Sequence, residues 1–247
     1  MSQQIPPNAV DSRAEHARRV RSMFARIAGR YDLLNHLLSG NVDKRWRRLV
    51  ARTLQPTLSG ARVLDVACGT GDLSLVLASA GASSVVGLDF CRPMLEIARR
   101  KVEADSREIP FVEGDALRLP FEDESFDVVT IAFGLRNLSG VAEGLRELQR
   151  VLKPGGRVAV LEFSTPVVPG FRALFGFYFK RVLPLVGGML SGSRGAYEYL
   201  PDSVSKFPDQ KRLAELMRGA GFEKVVYRNL TGGIASLHTG TRQRRRS

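Results

Sequence analysis

An α/β fold, with a mostly parallel seven-stranded sheet flanked by helices, is what this sequence predicts, and three observations carry that reading. From Ala61 onward the chain alternates strand and helix at the spacing that right-handed crossovers need. The run "FDVVTIAF" is continuous and β-branched, as in a strand covered on both faces. The stretch "VLDVACGTGDLS", Val63 to Ser74, passes from strand through a glycine-rich turn into helix.

Taken in order, residues 1–11 read as a disordered lead. Residues 12–54 read as N-terminal helices, with Leu33, Leu34, Leu37 and Leu38 forming an apolar helical face, and "QPTLSG" breaks the pattern. "ARVLDVA" is the first strand, and "GDLSLVLASAG" is a helix stopped by Gly81. "SVVGLD" is the second strand. "RPMLEIARRKVEA" is a helix with Pro93 in its first turn, where proline is tolerated. "IPFVEGD" and "FDVVTIAF" are the third and fourth strands. "GVAEGLRELQRVL" is a helix ended by "KPGG", and "RVAVLEF" is the fifth strand. An apolar cap is expected over about 165–200, then a helix at "DQKRLAELMRGAG" and a closing hairpin of "EKVVYRNL" and "GIASLHTG". Residues 12–240 thus form a single domain, and 241–247 a basic tail.

The 247 residues carry a net charge of +12, which favours an anionic partner: nucleic acid, an acidic lipid surface or a charged substrate. No aromatic–basic interleaving of a stacking surface is present, so nucleic acid is not expected. The opening residues lack the apolar core of a secretory signal. A spanning reading of Phe171–Leu190 is poor, because Lys180 and Arg181 lie within it and Pro184 breaks it. Cys68 and Cys91 have neither metal-ligand spacing nor a disulfide framework, which suits a reducing cytoplasm, and no metal is expected.

Open α/β sheets bind ligands at the carboxyl ends of their strands, and Gly69-Thr70-Gly71 lies there. A phosphate loop needs Lys-Ser/Thr after its second glycine, whereas Asp72 and Leu73 follow Gly71. A dinucleotide fingerprint is matched only weakly, since Ser74 stands where Gly or Ala is required. Asp65 and Asp72 would repel a pyrophosphate but not a cationic ligand. Asp89 ends the second strand at the spacing of a ribose-binding carboxylate, and Asp115-Ala116 follows the third strand, where a carboxylate can accept from an adenine amine. An adenosine without phosphates fits this set, and S-adenosylmethionine fits better than NAD. Taken singly, Asp65 can equally be a strand-end cap and Asp115 a turn residue.

The glycine turn, Asp89, Asp115-Ala116, "FDVV" and "LKPGG" together resemble the class I S-adenosylmethionine-dependent methyltransferases, which implies a Rossmann-like fold. Ala67 departs from the glycine often found at that position. "RIAGRYDLLNHLLSGNVDKRWRR", "FGLRN" and "YLPDSVSKFPDQKRLAELMRGAGF" followed by "GIASLHTG" narrow the resemblance to the demethylmenaquinone and ubiquinone-pathway C-methyltransferases, over roughly residues 18–242. That resemblance implies cofactor contacts at Thr70, Asp89, Asp115 and Ala116, and at Ala132 through its backbone, since a serine found there in some members is absent; the turn itself adds Asp65, Gly69 and Gly71 as cofactor candidates. It also implies methyl transfer to a ring carbon of a polyprenyl hydroquinone: demethylmenaquinol to menaquinol first, with the 2-methoxy-6-polyprenyl-benzoquinol step as the alternative or additional one that the residues leave open.

Such chemistry needs in-line placement, phenolate stabilisation and exclusion of water. Arg136 is the candidate for the developing oxyanion, the alternative being a structural pair with a carboxylate. Asn137 can orient a quinol oxygen, and Tyr31, Asp32 and Asn35 can close the cofactor pocket from the N-terminal helices, with Tyr31 equally suited to the core. His238 is a candidate proton acceptor, the alternative being a hydrogen-bonded strand residue. The Phe171–Leu190 segment is expected to cap the prenyl tail, to pack on the domain, or to lie on a membrane surface; peripheral membrane contact and a homodimer are both compatible with the sequence. A methyltransferase acting on another small molecule, a sterol, phenol or phospholipid, would share the cofactor site without needing "FGLRN".

Overall fold

The structure, a computed structural model, describes residues 7–105, 107–168, 176 and 194–244. Strand β1 (Arg62–Val66) lies inside the sheet. Val63 and Leu64 point to opposite faces and are both fully buried, which is why the strand is apolar throughout rather than alternating. It pairs in parallel with β2 (Ser84–Asp89) and β4 (Phe126–Ala132). Beyond them, also parallel, lie β3 (Phe111–Glu113) and β5 (Leu152–Phe163). The antiparallel hairpin of β6 (Phe222–Leu230) and β7 (Ala235–Arg242) closes the sheet, giving the order β3-β2-β1-β4-β5-β7-β6. The expected seven-stranded sheet is therefore present. The chain winds to one side of β1 through β3 and returns to the other at β4, so a crevice opens at the carboxyl ends of β1 and β4.

Helices α3 (Val42–Leu58), α4 (Asp72–Ser79) and α5 (Arg92–Ala104) cover one face, where Trp46, Leu54, Leu77 and Leu95 pack with Val63. Helix α6 (Val141–Val151) covers the other, with Leu145 and Leu148 against Leu64 and Val129. Helix α1 (Pro7–Ile27), a short turn at Ala28–Arg30 and α2 (Tyr31–Leu38) then cross the carboxyl edge. Ala28, Met94 and Cys91 seat them on α5, and the Phe24 and Tyr31 rings meet edge to face at 5.9 Å. Ion pairs Arg13–Glu143 and Arg21–Glu113 strap α1 to the sheet side, although exposed pairs of this kind add only about 0–1 kcal/mol each. Helix α7 (Arg194–Lys206) contacts α1, and α8 (Gln210–Gly219) packs Leu213 and Met217 beside α6.

Several boundaries differ from the sequence expectation. Helix α1 begins at Pro7, inside the expected lead. Helix α3 does not break at "QPTLSG" but runs through Pro56 to Leu58. Trp46, Val50, Leu54 and Leu58 recur every fourth residue and are all buried, and each buried leucine contributes about 1.5–3 kcal/mol, enough to offset a proline in the last turn. Leu33 and Leu37, part of the expected apolar helical face, are 68% and 58% exposed. Strand β5 starts at Leu152: Leu152 and Arg157 pair with Phe126 and Val128 of β4, and "KPGG" is the bulge between them. At the other end, Thr241 and Arg242 belong to β7 and not to a tail, and Arg242 donates to the carbonyls of Gln149, Arg150 and Leu152. Apart from Gly176, the Phe171–Leu190 segment expected as a cap lies outside the described residues. Among the described residues no helix is long and apolar enough to cross a membrane.

Candidate active site

Ala67, Gly69 and Gly71 all have positive φ (51°, 57° and 82°), and they fold the chain from β1 into α4. Gly71 closes the turn by donating its N–H to the Cys68 carbonyl at 2.9 Å. A Cβ at Gly71 would stand 3.2 Å from both Ala98 and Phe111, so the position is confined in space as well as in dihedral.

Two carboxylates organise the turn differently. Asp65 is buried beneath it and accepts from the hydroxyls of Ser74 (2.6 Å) and Thr130 (2.8 Å), tying β1, α4 and β4 together. Burial pushes its carboxyl up to about 6 against the pull of those two hydroxyls. Asp89, at the end of β2, accepts from the Gly69 and Cys91 amides, each at 2.8 Å, and burial likewise raises it to about 6 against those amides. The Thr70 hydroxyl donates to Asp32 at 2.5 Å and accepts from Lys101 at 3.1 Å, and Lys101 also bridges Asp32 and Asp72. This cluster clamps α2 onto the glycine turn.

A cavity of about 390 Å³ opens beside the turn. Gly69, Leu88, Asp89, Asp115, Ala116 and Ala132 line it, and Ala17, Arg18, Arg21 and Phe24 of α1 form its outer wall. Asp65, Thr70 and Gly71 are not among its lining residues. One Asp115 oxygen accepts from the Leu117 amide at 2.9 Å.

A smaller cavity, of about 80 Å³, adjoins the first and shares Phe24, Tyr31 and Phe133 with it. Its walls are aromatic, with the Phe133 and Phe163 centroids 4.7 Å apart and Trp46 6.0 Å from Phe133. Asn35, Asp43 and Arg136 supply polar groups. Burial raises the Tyr31 phenol, opposed by the charge of Arg136, a hydrogen bond with Asn35 and the charge of Arg47. Burial also pushes the Asp43 carboxyl up, but the Ser39 hydroxyl and the Arg47 guanidinium outweigh it and hold Asp43 below the ordinary range.

Arg136 follows β4 on a short turn (Leu135–Asn137). Its Nη1 donates to Glu162 at 2.7 Å and to the Phe133 carbonyl at 2.5 Å, and its guanidinium lies 5.3 Å from the Phe163 ring centroid. Its buried Nε has no partner among the described residues. Asn137 lines the large cavity and holds Tyr199 through its Oδ1 at 3.1 Å. His238 does not join these groups. It is fully buried on β7, donates from Nε2 to the Gln210 carbonyl at 2.8 Å, stacks on Tyr227 and lines neither cavity. Burial lowers its pKa, against the Gln210 hydrogen bond. Burial also raises both thiols, Cys91 to about 11, so neither is an activated nucleophile.

His36, Asp43 and Asp72 bring ligand-type atoms within 4.8 Å of one another, but Arg47 and Lys101 already neutralise the carboxylates. Sequence reasoning missed Glu162, Phe133, Tyr199 and the α1 wall. Phe133 and Tyr199 stand at the heads of "FGLRN" and "YLPDSVSKFPDQKRLAELMRGAGF", and Glu162 is a carboxylate inside the apolar strand "RVAVLEF".

The sheet order, the glycine turn and the cavity at the strand ends define a Rossmann-like domain of the class I S-adenosylmethionine-dependent methyltransferase type. One solved structure, a SAM-dependent methyltransferase from Thermotoga maritima, superposes with a TM-score of 0.60 at 20% identity, covering 90% of this chain and 99% of that one. The chain belongs to the ubiE/COQ5 methyltransferase family, whose model matches residues 12–242. It is similar to the demethylmenaquinone methyltransferase of Thermus thermophilus, 53% identical over 89% of this chain and 100% of that one. It is also similar to the ubiquinone/menaquinone biosynthesis C-methyltransferase UbiE of Geobacter sp. (strain M21), 48% identical over 93% of this chain and 98% of that one.

Proposed function

We propose that this protein transfers a methyl group from S-adenosylmethionine to a ring carbon of a polyprenyl hydroquinone, converting demethylmenaquinol to menaquinol and also serving the benzoquinol step of ubiquinone synthesis. The observation that carries this reading is the pair of adjoining cavities that share Phe24, Tyr31 and Phe133, in a chain half identical to a demethylmenaquinone methyltransferase. The larger volume, about 390 Å³, falls within the range of small-ligand sites. Its donor set, a carboxylate at Asp89 with Leu88, Ala116 and Leu117 beside it, suits a ribose diol and an adenine, while Asp115 can accept from the adenine amine. No basic phosphate loop competes for the turn. When bound, the cofactor supplies a sulfonium-activated methyl.

The chain's own residues do the rest. Asp65 and the Thr70–Asp32–Lys101 cluster position the turn from beneath instead of touching the ligand. In the small cavity, the mutually packed Phe133, Phe163 and Trp46 form an aromatic wall against which the quinol ring lies, and they exclude water. Arg136, held by Glu162, keeps its positive charge, so it stabilises a quinol oxygen that gives its proton to solvent; the phenolate pushes electron density onto the neighbouring ring carbon, which takes the methyl and then loses its ring proton while the phenol is restored. Asn35 and Tyr31 orient the ring, and Asn137 fixes Tyr199 at the mouth. His238 has no part in this scheme, because it is confined behind the sheet.

The test is direct. Purified protein, methyl-deuterated S-adenosylmethionine and a chemically reduced short-chain demethylmenaquinol are incubated, and the product is read by mass spectrometry. A ring-methylated, deuterium-labelled quinol is expected. Label appearing only on a sterol, phenol or phospholipid amine supplied in parallel would replace this reading with the general small-molecule one.

A further inference from the structure

Helix α2 is apolar on its outside. Tyr31 and Asn35 line the small cavity, while Leu33 and Leu37, displaced by about half a turn, are 68% and 58% exposed. Four residues apart, these two leucines are neighbours on one face. Helix α3 follows after a short turn and exposes Lys44, Arg45, Arg48 and Arg52, none of which has an ion-pair or hydrogen-bond partner among the described residues. Its sole acidic residue, Asp43, is buried and paired with Arg47. Arg48 and Arg52 line an open groove together with Lys101, and Lys101 pairs with Asp32, the residue before Leu33. The groove of the basic face thus reaches Lys101, the partner of Asp32 on the helix that carries the leucine pair.

A single exposed leucine on a surface is ordinary. A leucine pair beside four unpaired cations, on a chain of net charge +12, has the make-up of an interfacial helix facing acidic lipid. We propose that the outer face of α2 and the basic face of α3 dock the protein on a bilayer of anionic phospholipid, with Leu33 and Leu37 entering the apolar boundary and Lys44, Arg45, Arg48 and Arg52 meeting headgroup phosphates. This rests on the polyprenyl-quinol reading for its purpose. The lipid-facing and cavity-lining sides of α2 are only about 10 Å apart, one helix diameter, so a ring can reach the cavity while its isoprenoid tail remains in the bilayer.

The experiment is co-sedimentation of the full chain with vesicles of phosphatidylglycerol and phosphatidylcholine, compared with phosphatidylcholine alone. Binding to the anionic vesicles should exceed binding to the neutral ones by about tenfold or more and weaken with salt. Leu33→Ser/Leu37→Ser and, separately, Arg45→Glu/Arg48→Glu should each lower the partition about tenfold. The leucine variant should methylate a water-soluble short-chain quinol as fast as the parent does. A parent that ignores anionic vesicles overturns the proposal, and so do variants that sediment like the parent. Loss of a dimer in the leucine variant, seen by analytical ultracentrifugation, also overturns it by assigning the face to a second copy. If the parent does not methylate the soluble quinol, the functional reading fails, while vesicle binding still decides the docking face independently.

Discussion

Arg136 and Glu162 form a buried ion pair, Nη1 to Oε1 at 2.7 Å, with their side chains 6% and 0% exposed. Glu162 also accepts from the backbone amides of Arg136 and Phe163, so the carboxylate is satisfied from several directions. The pair fixes a guanidinium at the wall of the small cavity and leaves its Nε without a partner. The pair matches the structural reading of Arg136, and it also holds the guanidinium at the wall where the proposed oxyanion role needs it.

Replacing Arg136 with Met strands a buried carboxylate and should cost about 3–5 kcal/mol of stability. Adding Glu162→Leu should restore most of that, as seen in urea denaturation. Turnover should stay about 100-fold down in the double variant, with cofactor affinity within a few fold of the parent. A double variant with normal turnover would leave Arg136 a structural role alone.

Asp89→Asn should weaken cofactor binding about 10–100-fold by calorimetry, since a charge-assisted acceptor is lost. Unchanged affinity would remove Asp89 from the ribose.

The pH dependence has a definite sign. Asp65 and Asp89 titrate at about 6 in the fold, against roughly 4 when unfolded. Between those values the native state holds more protons, so their contribution is fully present below about pH 4 and is lost as pH rises through about 6. Asp43, Asp127 and Glu147 are lowered and act oppositely, adding stability above about pH 4 that is lost in acid. From these groups the thermal midpoint should therefore peak near about pH 4 and fall as pH rises to about 6. Cofactor affinity should run the other way, rising through about pH 6 as Asp89 ionises into an acceptor. A thermal scan and a calorimetric series across pH 4–8 would check both.

Gly134→Ala should distort both cavity walls, because its Cβ would stand 2.4 Å from the Ala67 Cβ and 3.3 Å from Ile131. Overpacking of this kind costs about 1–3 kcal/mol, and cofactor affinity should fall with stability in the same preparation.

Lys101→Met leaves Asp32 and Asp72 facing each other across the clamp. The KM for the cofactor should rise several fold with kcat less affected, as steady-state kinetics would show. A kcat effect alone would mean that α2 acts on chemistry and not on the turn.

The order of strands and helices, the glycine turn, the carboxylate at the end of β2 and the family were all legible in the residues, because each is local: apolar period, turn chemistry and motif spacing lie within a few positions of one another. The route of α3 through Pro56 was not legible, since burial of Leu54 and Leu58 against a distant sheet decides it. Asp65 and Asp89 look alike in the sequence and differ only by what surrounds them: Ser74 and Thr130 under one, and a cavity beside the other. His238 looked available for catalysis until the sheet enclosed it. By itself the sequence determined the fold class and the family. Only the tertiary structure decided which polar groups face the cavities, because pairing between residues such as Arg136 and Glu162, or Asp32 and Lys101, depends on elements brought together from far along the chain.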